Sequence, residues 1–137
     1  MLRNLLISLA VTATMAFPYT PDAMAAETGY APQISDQQSI KITVAPKNFP
    51  KAAKNWDFEV TVESHTQDLS DDLTKSAMLI ADAKQYLPSV WEGAPPGGHH
   101  RKGLLRFRAI VPQPRSVELQ IRLARDASPR SFRWQLK

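Results

Sequence analysis

The chain has 137 residues, a formal net charge of +4 and no cysteine, which excludes disulfide staples, thiolate metal sites, a cysteine nucleophile and a lipid-bearing cysteine. At this length one domain with an ordinary apolar core is expected, because a chain of about 100 residues buries roughly 60–70% of its unfolded surface on folding. The charge is divided along the chain: Ala26–Gly98 carries six lysines against ten carboxylates, and His99–Lys137 carries ten Lys and Arg against Glu118 and Asp126. Such a basic third either attracts anions or forms a solvated face whose cations pair across strands with the acidic segment.

The chain begins with the features of a secretory signal peptide over residues 1–25. Met1-Leu2-Arg3-Asn4 is short and basic, Leu5–Phe17 is apolar and uncharged, and Ala23-Met24-Ala25 is an A-x-A cleavage signal. The apolar run is too short for a permanent span, which needs roughly 20 residues. Cleavage after Ala25 is expected, and with it a periplasmic or secreted location and no transmembrane segment in the mature chain. Residues 26–38 are polar and read as a loose leader, with the domain proper at 39–137.

Period-two alternation then dominates. Ile40, Ile42 and Val44 alternate with Lys41 and Thr43; Phe58, Val60 and Val62 alternate with Glu59, Thr61 and Glu63. The same pattern places Leu105, Phe107 and Ala109 opposite Arg106 and Arg108, turns Val117, Leu119, Ile121 and Leu123 inward, and does likewise with Phe132, Trp134 and Leu136. These are half-buried strands. The stretch from Leu69 to Ala83 would also accept a helix, but Pro88 and the polar step at Asp82-Ala83-Lys84 favour two short strands at hairpin spacing. The expected fold is all-β: an immunoglobulin-like antiparallel β-sandwich of about seven strands.

Four of the five glycines fall in "WEGAPPGGHHRKG", Trp91–Gly103, around two of the three histidines. Pro95-Pro96 is stiff and Gly97-Gly98 can adopt dihedrals closed to other residues, so His99 and His100 are presented on a defined path. Adjacent side chains of an extended segment point to opposite faces, so an ion would more easily take one of the pair plus a distant partner. That partner is sought in "ESHTQDLSDD": His65 shares the outward face of its strand with Glu63, and Asp68, Asp71 and Asp72 follow. His65, Asp68, Asp72, His99 and His100 are therefore the metal-ligand candidates, and histidine with carboxylates suits zinc or copper(II). The aspartates are equally suited to capping turns, and the loop to a structural role closed by Trp91. Trp91, Glu92, Arg101, Arg106 and Arg108 are the candidates for contact with an envelope glycan, lipid or acidic protein.

Catalysis finds little support. The chain lacks a G-x-S-x-G elbow, and Ser64 faces away from His65 across its strand. Nucleic acid binding is not expected, because the aromatic rings alternate onto the core side, away from the arginines. Trp134 is expected in the core; Trp56 and Trp91 stand at loop ends, where an exposed ring could meet a sugar or an acidic peptide, but core packing is favoured for them too.

The run from Asp72 to Phe107, with "WDFEVTVESHTQDL" before it and "SFRWQLK" after it, resembles a family of uncharacterised exported bacterial and archaeal all-β domains. Its mark is a W-E-G-x-P-P-G-G-H-H-R-x-G loop. The resemblance implies an exported all-β domain and a single site formed by His65, Asp68, His99, His100 and Arg101; it supplies no activity or ligand. The expectation is a small exported binding domain without enzymatic activity, taking either a divalent metal or an anionic partner.

Overall fold

Alternation gives a strand one apolar face, and two sheets built on such strands bury those faces against each other. In the computed structural model, which describes residues 30–137, nine strands form two such sheets. They are β1 (Gln33–Gln37), β2 (Ile40–Pro46), β3 (Asn55–Ser64), β4 (Ala77–Ala81), β5 (Lys84–Tyr86), β6 (Val90–Gly93), β7 (His100–Arg108), β8 (Ser116–Ile121) and β9 (Arg130–Gln135). One sheet has the order β1-β2-β3-β7-β6 and the other β5-β4-β8-β9, with every pairing antiparallel. The fold is an antiparallel β-sandwich.

The inward residues are those the alternation selects. Ile42, Val44, Phe58, Val60, Leu105 and Phe107 line one sheet, and Leu79, Leu119, Ile121, Phe132 and Trp134 the other. Phe58 joins the layers, meeting Phe107 edge-on at 5.7 Å and Trp134 at 5.7 Å. The segment after Ser76 forms two short strands, as expected, joined through Asp82 and Ala83 at φ 50° and 62°. Positive φ at both central residues matches the hairpin's twist to that of its strands. Among the described residues, helix is confined to one turn, α1 (Leu73–Ser76), capped by Asp72.

Two elements depart from the expectation. Residues 33–37, read as leader, form β1, which pairs with β2 across a two-residue turn at Gln38 and Ser39, φ 52° and 60°. An edge strand needs no alternating apolar face, so QISDQ gives little strand signal. Within the loop expected after Trp91, Val90–Gly93 forms β6 at the opposite edge of that sheet. The expected signal peptide and cleavage site lie outside the described residues. Among the described residues no helix is long and apolar enough to cross a membrane.

The N-terminal arm straps the sandwich shut. The Gln33 carboxamide bonds both backbone groups of Arg133 on β9, and the Trp134 indole donates to the Ala31 carbonyl at 2.9 Å. Arg130, 2% exposed, binds both Asp126 oxygens and donates to the carbonyls of Ser35, Gln37 and Ile40.

Candidate functional site: a histidine-lined hollow held by a glycine latch

The clustered glycines answer to two different demands. Gly93 and Gly103 face each other across β6 and β7, and the Trp91 ring lies over them. A Cβ on Gly93 would stand 2.5 Å from Gly103 Cα, and one on Gly103 would stand 2.8 Å from the Trp91 ring. Gly97 and Gly98 have open space around them but φ of +116° and +76°, so there the backbone conformation itself favours glycine. The pair admits the indole; the turn redirects the chain.

Arg101 completes the latch. Its guanidinium lies 5.7 Å from the Trp91 ring centre, donates to Asp71 O at 2.6 Å, and reaches Leu69 O and Ala94 O at 3.4 Å. The Trp91 indole donates to the same Ala94 carbonyl at 2.9 Å. Burial pushes the guanidinium below its ordinary pKa, and the charges of Asp71 and Asp72 oppose that. Three further bonds tie the Gly97-Gly98 turn to the loop after β3: Leu69 N to Gly98 O, Gly97 N to Leu69 O, and Gly98 N to Asp68 Oδ1 at 2.8 Å.

The latch sets His99 and His100 beside the end of β3, where Ser64 N donates to His99 O at 2.9 Å. All three histidines, each exposed, line one open hollow of ≈ 540 Å3 together with Asp36, Ser39, Lys41, Glu63, Ser64 and Thr66. One register row crosses four strands here: Asp36 faces Lys41, Lys41 faces Glu63, and Glu63 faces His100. Glu63 receives Lys41 at 3.2 Å and His100 Nε2 at 3.8 Å. The Ser64 hydroxyl is spent locally, donating to Ser39 O at 2.8 Å and accepting from Gln67 N at 3.0 Å.

The five metal-ligand candidates therefore separate. His65, His99 and His100 share the hollow; Asp68 and Asp72 are not among its lining residues. Asp72 caps α1 and bonds both Thr74 groups, the hydroxyl at 2.6 Å, which hold its carboxyl below the ordinary value. Asp71 accepts from Ala124 N at 2.9 Å. Among the described residues no three His, Asp or Glu side chains are gathered to hold a metal ion. Asp36, Ser39 and Lys41 were missed, because they reach the hollow through the hairpin of β1 and β2.

The partner-contact candidates are also redistributed. Arg101 is corrected from surface contact to buried clamp, at 2% exposure. Trp91 is half-buried, and Trp56, also expected at a loop end, is in the core. Arg106 forks onto Asp57 and reaches Glu92 at 3.0 Å, contacts that raise its pKa, the Asp57 hydrogen bond foremost. Arg108 is exposed near the end of β7. Lys47 and Lys102 both reach Glu59, whose pKa is lowered chiefly by the Lys47 hydrogen bond. The outer face of this sheet is thus a mixed-charge lattice.

No family model matches the chain, and no curated protein or solved structure matches it either.

Proposed function

We propose that the chain is an exported binding domain that takes a divalent transition metal ion, zinc or copper(II), in the hollow beside the end of β3, and that it performs no catalysis. The observation that carries this reading is that three exposed imidazoles line one hollow with Glu63 and Asp36 on a backbone held by the Arg101 latch. Imidazole suits both ions. Ligation involves rotation of these exposed side chains, with His100 leaving its contact with Glu63, so the site is assembled on binding. Coordination requires neutral imidazole, so affinity falls as the solution is acidified.

An anionic envelope partner on the arginine-bearing face receives less support, because Arg106 and Lys102 already face carboxylates and Arg101 is buried.

The test is calorimetric titration with zinc and copper(II), paired with thermal unfolding. Saturable binding and a metal-dependent rise in Tm are expected, both lost in a His99→Ala/His100→Ala variant that keeps the metal-free Tm. Heat of binding unchanged in the variant, or absent from the unaltered protein, would retire the metal reading.

A further inference from the structure

The loops at the end of the sandwich where β3 begins are basic. Residues 47–54, between β2 and β3, and residues 109–115, between β7 and β8, hold no carboxylate side chain. Lys51, Lys54, Arg108, Arg115 and Lys137 are all exposed, and none is ion-paired with a carboxylate side chain among the described residues. Hydrogen bonds gather their backbones about the second loop: Ala109 N donates to Lys54 O at 3.0 Å, Leu136 N to Arg115 O at 2.7 Å, and Gln113 Nε2 to Lys137 O at 3.4 Å. Lys51 borders the same small cavity as Val111. Asp82, exposed in the turn between β4 and β5, offsets one of these charges, while Asp57 is already held by Arg106.

The same loop has an apolar tip. Ile110 and Pro114 are buried, whereas Val111 and Pro112 between them are exposed, Val111 at 83%. One exposed valine is ordinary on a protein surface; what sets this one apart is the unpaired charge around it and the course of the chain. Tyr30 packs edge-on against Phe49 of the first loop at 5.0 Å, and its hydroxyl accepts from Lys137 N. The 29 residues before it, with the uncharged apolar run at 5–17, therefore join the domain at this end. The export signal expected there would bring this end to the bilayer first.

We propose that this end docks on an anionic phospholipid bilayer, with Val111 and Pro112 entering the headgroup layer and the cations lying over the phosphates. Peripheral binding of this kind sums buried apolar area and attraction to anionic lipid. The cations lie on separate segments, which suits a deformable layer of headgroups better than one folded acidic partner, and an anionic glycan would leave the apolar tip unmatched. The surface lies at the opposite end of β3 from the histidine hollow, and the proposal is independent of the metal reading.

The chain has no cysteine, so Val111→Cys can carry a single polarity-sensitive fluorophore, with Thr66→Cys, exposed at the opposite end, as the control. The protein is used in the form recovered after export and mixed with vesicles of equal parts phosphatidylglycerol and phosphatidylcholine. The expected result is a blue shift of the label at position 111 and none at position 66, absent with pure phosphatidylcholine and weakened by salt. In sedimentation with the same vesicles, Lys51→Gln/Lys54→Gln should weaken binding about 25-fold, at about fivefold for each charge. Val111→Ser should weaken it about tenfold, and both variants should keep the Tm of the unaltered protein. No shift at 111, an equal shift at 66, or equal binding to pure phosphatidylcholine overturns the proposal. So does retention on dextran sulfate as strong as on vesicles and indifferent to Val111→Ser.

Discussion

A methyl group added at Gly103 would lie 2.6 Å from the Glu92 carbonyl and 2.6 Å from Gly93 Cα, so Gly103→Ala must push the β6 and β7 backbones apart. The expected loss is about 3 kcal/mol in denaturant unfolding, the upper range for overpacking. Gly97→Ala meets no atom within 4 Å but must hold φ near +116°, and conformational strain alone should cost about 1–3 kcal/mol. A loss well below about 1 kcal/mol at Gly103→Ala would show that β6 and β7 can part without cost. Arg101 was legible by parity: it shares its face of β7 with Leu105 and Phe107, while His100, Arg106 and Arg108 take the other. Its charge and the adjacent histidines instead favour a surface position when only the sequence is considered. What parity could not give is the trio of carbonyls, from Leu69, Asp71 and Ala94, that makes a cation tolerable there. Those acceptors belong to loops whose course depends on the finished fold.

At the level of elements, the strands with an apolar face on the core were readable, and β1 and β6, the two edges of the five-stranded sheet, were not. β2, β3, β8 and β9 alternate cleanly because one face is buried and the other wet. β1 is held by its ladder to β2 and by Arg130, neither of which imposes a pattern on QISDQ. The Asp126–Arg130 pair gives a sharp test of that anchoring, with side chains 2% and 1% exposed. Asp126→Ala strands a buried guanidinium and should cost about 3–5 kcal/mol. Replacing both with apolar residues often rescues an isolated buried pair. Here Asp126→Leu/Arg130→Met should stay destabilised, since the carbonyls of Ser35, Gln37 and Ile40 lose their donor. Full recovery in equilibrium unfolding would mean that those carbonyls find other partners at no cost.

Across the whole molecule, the paired surface sets the response to acid. Glu59 and Glu118 both titrate below the ordinary 4.5, Glu59 chiefly through Lys47 and Glu118 chiefly through a hydrogen bond from Ser131; Asp72 lies below 3.8 through Thr74. The unfolded chain therefore binds more protons as the pH falls through this range. Their stabilisation is complete above the ordinary values and is lost as pH drops through the lowered ones. Tm is expected to be level above about pH 5.5 and to fall progressively below about pH 4.5, with a shallower fall in Glu59→Gln. A Tm that rises on acidification would contradict the sign. Added salt should weaken the lysine contributions but leave the hydrogen bond from Ser131 largely intact.

The strap from Gln33 and Ala31 to β9 joins positions 100 and 103 residues apart in the chain. A ribosome delivers residues in order, so until β9 is made the arm has nothing to close upon, and the Arg130 side chain that anchors β1 does not yet exist. Contacts of such long range also slow folding after release, because a large loop must be closed before they contribute. The sandwich thus cannot be completed until β9 arrives, and whatever factor handles the chain in that interval meets apolar strand faces that β9 does not yet cover.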